Sequence, residues 1–525
     1  MNDRLNINPM TYSTKENLIE CFNPATQEKL CEIPFTSESE ILLITKKSKE
    51  AFFIWSSLGI EKRTEYLKNI YNIIISEKNN IAQIITKNNG KPLAESYLTE
   101  IASTLQVMEY FIKNGSKLLS NKELALGPLY PTKKSFIEYD PIGVIGIIEP
   151  WNYPFYLPFS AITKALITGN TFIFKPSSTV SAVGKLIEEI LNKSEIPKGV
   201  ANVIYGNSKT ADTLINSEEI DKIVFTGSVG VGKKIAEACS KRLIPVCLEL
   251  GGKDPAIVIN DSNIDYAAGG ILWGAISNCG QACASTERVY VQSEIYNEFA
   301  DKISYLTKQL KVGNGLDDDT DVGPLINEEQ LIKIQDHVND SVKKGAKVLC
   351  GGKRIDREGY FFEPTVLTNV THSMKVMQEE TFGPVIPIMK FEEIEEAIHL
   401  ANDSKYGLAA SIWTSNNDTA KKIASSLNCG TVWINDSLFL QAHPACPWTG
   451  YKESGYGNST VYDFTKPKHI NFDNGFIPGI RPKSYWWYPY KGKAGSYSDL
   501  IEVLYKPTLK EKAMASFKTV LDFLK

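Results

Sequence analysis

Hydrophobic and polar positions follow two different periods along the chain. Residues 37–120 are rich in charge and repeat apolar residues at a helical period, as in "KRTEYLKNIYNIIISEKNNIAQII", which predicts helices. Farther on, β-branched runs such as "GVIGII", "TFIFKP" and "DKIVFTGS" alternate with helical stretches, and a second alternating block follows Glu249. This alternation predicts a parallel, doubly wound α/β sheet, in which ligands bind beyond the carboxyl ends of the strands.

Size and composition narrow the class of protein. A chain of 525 residues is too long for one hydrophobic core, so we expect two or three packed units. A net charge of −4 gives no sign of a nucleic-acid partner. The sequence lacks an apolar run of about 18–20 residues and a signal-like start. It therefore predicts a cytoplasmic protein whose nine scattered cysteines are reduced thiols.

Two cysteines lie four residues apart in "SNCGQACASTER", at Cys279 and Cys283. A zinc site requires a second pair of ligands at short spacing, and neither a second cysteine pair nor a nearby histidine is present, so we expect no bound metal. A redox pair, an inert core thiol and a nucleophile remain open at this point.

Three polar side chains follow candidate strands. Lys175 in "IFKPSS" can bind ribose or phosphate oxygens, and Glu249 in "CLELGGKDP" can act as a general base if apolar neighbours raise its pKa. Asn152 in "EPWNYPF" carries an amide that can stabilise an oxyanion. A solvated lysine, an exposed glutamate and a turn asparagine are the ordinary alternatives.

A glycine-rich turn, "FTGSVGVGKK", joins a predicted strand to a predicted helix. It resembles a phosphate-binding P-loop, but Lys234 stands where that loop needs a serine or threonine for Mg²⁺. The turn therefore favours a dinucleotide, whose pyrophosphate the helix N-terminus would bind, over a nucleoside triphosphate. A purely structural turn is the alternative.

Taken together and in this order, "PWNYP", "FKPS", "FTGS", "LELGGKDP", "GQACAS", "QEETFGPV" and "GTVWIND" strongly resemble the NAD(P)-dependent aldehyde dehydrogenases over roughly residues 20–475. The resemblance implies an α/β fold with three parts that assembles as a homodimer or homotetramer. Its parts would be a Rossmann-like dinucleotide-binding domain (1–120 and 141–249), an α/β catalytic domain (250–450) and a small β oligomerisation element (121–140 and 451–475). Residues 476–525 extend beyond the usual end of the family.

The resemblance also implies roles for individual residues. Cys283 would be the nucleophile, Glu249 the base for the deacylating water, and Asn152 an oxyanion donor together with the Cys283 amide. The aldehyde would pass through a hemithioacetal and a thioester to the carboxylic acid, and relatives that acylate coenzyme A typically lack such a base. The residues that would bind NAD or NADP are Trp151, Lys175, Ser178, Gly227, Ser228, Gly232, Gln330, Glu380 and Phe382.

Ser178 bears on the choice of cofactor. Many NAD-specific relatives carry an acidic residue at this position, where its carboxylate would bind the ribose 2′-hydroxyl and repel a 2′-phosphate. Ser178 removes that repulsion, so both NAD and NADP are expected as cofactors.

The C-terminal extension has a distinct composition. It contains "SYWWYPY" at 484–490 and then a predicted basic amphipathic helix, whose apolar face comprises Leu509, Ala513, Phe517, Val520, Leu521 and Leu524. The segment either contacts a membrane surface or packs on the protein at a subunit seam or the substrate entrance. Both interpretations place it near the entrance and predict a medium- or long-chain, apolar aldehyde.

Overall fold

The computed structural model describes residues 12–15, 17–127, 130, 133–438, 443–473, 487–508 and 511–512. In these ranges the strands are β1 (Tyr12–Lys15), β2 (Leu18–Phe22), β3 (Lys29–Pro34), β4 (Lys122–Glu123), β5 (Lys133–Pro141), β6 (Val144–Glu149), β7 (Thr171–Pro176), β8 (Ala201–Val203), β9 (Lys222–Thr226), β10 (Val246–Glu249), β11 (Asp254–Val258), β12 (Thr286–Gln292), β13 (Lys347–Cys350), β14 (Thr365–Thr368), β15 (Val385–Phe391), β16 (Tyr406–Gly407), β17 (Ala409–Trp413), β18 (Thr431–Ile434), β19 (Tyr451–Lys452), β20 (Gly455–Tyr456) and β21 (Thr465–Asp473).

The helices of the same ranges are α1 (Glu38–Ser57), α2 (Ile60–Asn89), α3 (Leu93–Glu95), α4 (Ser103–Leu118), α5 (Tyr156–Ile167), α6 (Ser181–Lys193), α7 (Ser208–Asn216), α8 (Val229–Arg242), α9 (Ile264–Ile276), α10 (Tyr296–Gln309), α11 (Glu328–Lys343), α12 (Lys375–Gln378), α13 (Ile394–Asn402), α14 (Asn417–Ser426) and α15 (Ala494–Tyr505). A π-helical stretch, Ser96–Ala102, lies between α3 and α4.

The chain forms two compact units. The first comprises residues 1–116 and 141–465, and the second comprises residues 117–140 and 466–525. The second contains the small sheet β21-β5-β4 and helix α15. The predicted division into dinucleotide-binding, catalytic and oligomerisation parts, and the predicted dimer or tetramer, stay predictions.

A six-stranded sheet in the order β20-β10-β9-β6-β7-β8 organises one half of the first unit. Strands β6 to β10 are parallel, and β20 pairs antiparallel with β10. The strand order reverses between β6 and β9, which is the topological switch point where doubly wound sheets bind ligands. The core of this sheet includes Ile41 from α1, Leu214 from α7 and Ile235 from α8.

A seven-stranded sheet, β13-β14-β15-β12-β11-β17-β18, organises the other half. Its strands are parallel except for the β13–β14 pair. Its core includes Ile257, Tyr290 and Trp413, all nearly inaccessible to solvent. The two largely parallel sheets confirm the predicted α/β fold class.

Most of the predicted amphipathic C-terminal helix lies outside the described residues, as do positions 484–486 of the aromatic cluster. The described part of the extension instead contains α15, and the side chains of Trp487, Tyr488 and Tyr490 are more than half exposed. Among the described residues, no helix combines the length and hydrophobicity needed to cross a membrane. The predicted location and membrane contact stay predictions.

Candidate active site

Two cavities meet at the carboxyl ends of β9 and β10. One, which we call the apolar cavity, is lined largely by aromatic and aliphatic side chains. The other, the glycine-turn cavity, includes the turn before α8. Four residues line both of them: Thr226, Glu249, Leu250 and Cys283. A group bound in either cavity can therefore reach the same thiol and the same carboxyl group.

Cys283 lies in the loop that leads from α9 into β12. Burial raises the pKa of its thiol, and the negative charges of Asp254, Glu249 and Glu380 raise the pKa further. The thiol is therefore protonated at rest, and a thiolate must be generated before it can attack. Cys279, by contrast, is buried in the core of the seven-stranded sheet and lines neither cavity.

Glu249 is the last residue of β10, and its backbone pairs with Thr226 on β9. Its side chain is buried, and the Oε2 atom has no hydrogen-bond partner among the described residues. Burial raises the pKa of Glu249 well above the usual range; Lys164 opposes this shift, while Glu149 and Asp463 add to it. A carboxyl group with a raised pKa is a stronger base than an ordinary glutamate, so it can take a proton from water near neutral pH.

Asn152 follows β6, on the opposite side of the switch point from β10. Asn152 lines the glycine-turn cavity, and its side-chain Oδ1 atom is buried without a partner in the described residues. Its backbone carbonyl accepts hydrogen bonds of 2.9 Å from Lys91 Nζ and from Asn278 Nδ2. The loop is thus fixed from two sides, and Asn278 ties it to the segment that carries Cys283.

A fully buried ion pair anchors the same loop. Lys91 Nζ lies 2.7 Å from Glu100 Oε1, on the π-helical stretch. Glu100 Oε2 accepts from the backbone N–H groups of Phe155 and Tyr156, at 3.1 and 2.7 Å. Sequence reasoning missed both charged residues, because neither lies in a recognisable motif and their partners in the Asn152 loop are more than fifty residues away.

The glycine turn provides an anion-binding helix end. Gly227 and Ser228 line the glycine-turn cavity, and Ser228 precedes α8 without capping it through its side chain. The first backbone N–H groups of α8 have no partner within the helix, so they can bind a pyrophosphate. Gly232, one turn into α8, packs against Leu250 and lies behind the turn.

Lys175 lies near the carboxyl end of β7, next to β6 in the sheet, and Ser178 lies just beyond that end. Burial lowers the pKa of Lys175 to about 8, and its ammonium contacts only the carbonyl of Pro176, at 3.3 Å, among the described residues. Ser178 Oγ donates to the Gly206 carbonyl at 2.8 Å. Both are buried polar groups at a strand end, but neither belongs to the lining of the glycine-turn cavity.

The loop 380–382 forms another wall of the glycine-turn cavity, with Trp151 and Lys333. The rings of Phe382 and Trp151 meet edge to face, with centroids 5.4 Å apart. Gln330 Nε2 donates to the carbonyls of Thr381 and Phe382 at 3.0 Å, so in this structure it supports the loop. Sequence reasoning expected it to contact a ribose, which stays a prediction.

Glu380 lies on this loop and accepts a hydrogen bond of 3.0 Å from the Gly252 backbone N–H. Burial raises its pKa to about 7, and the charge of Glu287 adds to the shift. Gly252 leaves no room for a side chain, since a Cβ atom there would lie 2.3 Å from the carbonyl oxygen of Cys283. The segment between the two sheets therefore touches both the nucleophile loop and the 380–382 loop.

A second buried ion pair holds the 380–382 loop. Lys253 Nζ lies 2.6 Å from Glu287 Oε2 and donates to Thr381 Oγ1 at 3.0 Å. The Glu287 carboxylate also accepts from the backbone N–H groups of Thr381 and Phe382, each at 2.7 Å. Lys253 lies in the same motif as Glu249, and Glu287 lies in the same motif as Cys283, so both residues were in segments that the sequence marked as functional. Their contact, however, follows only from the pairing of strands β11 and β12.

Comparison with known proteins agrees with this architecture. The model of the aldehyde dehydrogenase family matches residues 11–470. The chain is 35% identical over 438 residues to a probable succinate-semialdehyde dehydrogenase [NADP(+)] of Sinorhizobium fredii, covering 83% of this chain and 88% of that protein. It is 36% identical over 440 residues to a mitochondrial succinate-semialdehyde dehydrogenase of Arabidopsis thaliana, covering 84% and 82%.

A solved structure shows the same fold. The crystal structure of a point mutant of betaine aldehyde dehydrogenase from Staphylococcus aureus, in complex with NAD⁺, superposes with a TM-score of 0.83 at 33% identity. The match covers 90% of this chain and 96% of that one. The predicted resemblance is confirmed, and the chain belongs to the aldehyde dehydrogenase family.

Proposed function

We propose that the protein oxidises an aldehyde to the carboxylic acid with NAD or NADP, and that Cys283 is its nucleophile. The observation that carries the proposal is the position of Cys283 and Glu249 at the junction of the two cavities. An aldehyde in the apolar cavity and a nicotinamide in the glycine-turn cavity would both reach the thiol.

The described residues supply the remaining chemistry. The Cys283 thiol releases its proton to solvent, and its sulfur adds to the aldehyde carbon; the Asn152 amide and the Cys283 backbone N–H stabilise the oxyanion of the resulting hemithioacetal. An oxidised nicotinamide, when bound, would supply the hydride acceptor that converts this adduct to the thioester. Glu249 then takes a proton from a water molecule that attacks the thioester, which releases the acid and frees the thiol.

The glycine-turn cavity suits a dinucleotide. Unpartnered N–H groups at the start of α8 fit a pyrophosphate, Lys333 adds a positive charge, and the Glu380 carboxylate can accept from ribose hydroxyls. Ser178 places no negative charge against a 2′-phosphate, so we propose that both cofactors bind. The relatives support this, since one carries NADP(+) in its name and another was crystallised with NAD⁺.

For the substrate we propose a neutral, apolar aldehyde of medium or long chain. The apolar cavity presents side chains such as Val107, Tyr153, Leu157 and Trp448. Of its described lining residues, Lys164 is the one lysine or arginine, and its ammonium already donates to the carbonyl and hydroxyl of Ser459, at 2.7 and 3.2 Å.

The relatives raise a competing possibility, because two of them are named for a succinic semialdehyde. That substrate carries a carboxylate, which would enter a cavity already lined by Glu149 and Glu249. Two buried carboxyl groups disfavour a third negative charge. A chain-length panel of aldehydes that includes succinic semialdehyde separates the two substrates: a kcat/KM for succinic semialdehyde above that for hexanal or decanal would contradict the apolar substrate.

Replacing Cys283 with serine tests the function itself. Cys283→Ser should reduce aldehyde-dependent NAD or NADP reduction at least a thousandfold, because a serine hydroxyl without an adjacent base is a poor nucleophile at neutral pH. Cys279→Ser is the matched control, and it should retain activity within a few-fold because that thiol lines neither cavity. Activity of Cys283→Ser within tenfold of the wild type would refute the assignment.

A further inference from the structure

A second buried glutamate lies beside the proposed base without a role in the chemistry above. Glu149 is the last residue of β6, its side chain is 4% exposed, and it lines the apolar cavity. Its Oε2 atom has no hydrogen-bond partner among the described residues. An unpartnered buried carboxyl oxygen destabilises the fold, so its presence calls for an explanation.

Strand register brings Glu149 level with Glu249. Ile148 on β6 pairs with Phe225 on β9, and Thr226 on β9 pairs with Glu249 on β10. The residues Glu149, Thr226 and Glu249 therefore lie in one row across three adjacent parallel strands. Neighbouring strands are about 4.8 Å apart, so the two glutamate backbones are about 10 Å apart, with Thr226 between them.

Thr226 can connect the two carboxyl groups. Thr226 stands between Glu149 and Glu249 in this row, and it lines both cavities. A hydroxyl group is both donor and acceptor, so it can receive a proton on one side and release one on the other. Thr226 and Glu249 both line the apolar cavity, so a water molecule there can connect them.

The charges around this row favour one shared proton. The row contains two buried carboxyl groups, and Lys164 on α5 is the buried cation that acts on both of them. Burial opposes an uncompensated charge, so ionisation of one carboxyl group disfavours ionisation of the other. The other titratable groups that line the apolar cavity or act on the row are Tyr153, Tyr156, Cys247, Cys283, Asp463, His443 and Cys446.

We propose that Glu149 receives, through Thr226, the proton that Glu249 takes from the deacylating water, and so returns Glu249 to its basic form. This inference rests on the proposed function. In deacylation the water oxygen bonds to the thioester carbon, and one water proton moves to Glu249. The carbon–sulfur bond breaks, and sulfur leaves with the electron pair and takes the proton that the carboxylic acid loses. One proton per turnover therefore remains on Glu249; it moves to Glu149, which then releases it to water in the apolar cavity.

Hydrolysis of a p-nitrophenyl ester isolates this step, because such an ester acylates Cys283 without any cofactor. The burst of nitrophenolate reports acylation and the steady rate reports deacylation. Glu149→Gln should keep the full burst and lower the steady rate at least tenfold, because glutamine cannot take up a proton. Glu149→Asp should recover most of the rate, and added imidazole should accelerate Glu149→Gln more than the wild type.

The pH profile distinguishes a proton acceptor from a structural residue. Burial raises the pKa of Glu149 to about 8. Only the ionised form can accept a proton, so the wild-type steady rate should rise as the pH increases through 8, and Glu149→Gln should lose this rise. An unchanged pH profile and steady rate in Glu149→Gln would overturn the proposal.

Two controls keep the outcomes separate. A wild-type ester burst that survives in Cys283→Ser would refute the proposed function, whereas a Cys283-dependent burst with normal deacylation in Glu149→Gln would refute only this inference. Thr226→Val keeps both carboxyl groups and interrupts the route, so it should also slow deacylation at least tenfold. Normal deacylation in Thr226→Val would overturn the route even if Glu149→Gln did not fold.

Discussion

The buried Lys253–Glu287 pair lends itself to a quantitative test. Glu287 accepts two backbone hydrogen bonds from the 380–382 loop and one from Lys253, and neither side chain is more than 3% exposed. Removing one partner of a buried ion pair leaves an uncompensated charge and costs about 3–5 kcal/mol. We expect the loss of stability in Glu287→Gln to fall at the upper end of this range. The glutamine carbonyl cannot accept every hydrogen bond that the carboxylate accepts.

The loss should depend on pH in a defined direction. Burial already lowers the pKa of Lys253, while the Glu287 charge opposes this shift. In Glu287→Gln the folded-state pKa of Lys253 falls further below its unfolded value, so the folded state prefers the neutral amine. The loss in free energy of unfolding, relative to the wild type, should be smallest near pH 10. It should grow as the pH falls, by up to about 1.4 kcal/mol per pH unit, until Lys253 is fully protonated in the folded state.

Urea unfolding followed by tryptophan fluorescence at pH 7.0 and pH 9.5 measures both effects. The double variant Lys253→Met/Glu287→Gln removes the uncompensated charge, so it should recover more than half of the stability that Glu287→Gln loses. Cofactor titrations should show weaker NADP binding in Glu287→Gln, by about tenfold or 1.4 kcal/mol, because the loop loses two of its anchors. A loss below 1 kcal/mol, or a double variant no better than the single one, would refute the reasoning.

Three further outcomes follow from the site. Glu249→Gln should keep a pre-steady-state burst of reduced nicotinamide while turnover falls at least a hundredfold; loss of the burst as well would point to a role in activating the thiol. The affinity of the wild type for NADP should be within a factor of about a hundred of its affinity for NAD. Ser178→Glu should lower the affinity for NADP at least tenfold and change the affinity for NAD little. A wild type that binds no NADP would contradict the role of Ser178. Deleting residues 476–525 should change either liposome co-sedimentation or the preference for long aldehydes; no change in either would exclude both interpretations of the extension.

Sequence patterns predicted the site residues that lie at or just after the end of a single strand. Asn152 and the glycine turn each follow a β-branched run, Glu249 ends the strand β10, and parallel strands bring such ends to one edge. The pattern singled out Asn152 but missed Glu149, three residues earlier, because a glutamate at a strand end is usually exposed. Its burial depends on β6 being central in the sheet, which the strand itself does not encode.

Contacts between distant segments were not predictable in the same way. Lys253 and Glu287 meet because β11 and β12 are adjacent, and Lys91 and Glu100 meet through a π-helical turn. No local pattern distinguishes these charged residues from solvated ones. Gln330 lines the glycine-turn cavity and also donates to the neighbouring loop, so its expected ribose contact stays a prediction.

The short connection between the two sheets has a consequence for protein engineering. Glu249 ends β10 in one sheet, and Asp254 begins β11 in the other, so residues 250–253 cross between them. Because Gly252 already touches both the nucleophile loop and the 380–382 loop, this crossing has no spare length. Chimaeras that exchange whole sheets between homologues should therefore never be joined here. The junction belongs in an exposed connection, where an inserted residue leaves the spacing of thiol and carboxylate intact.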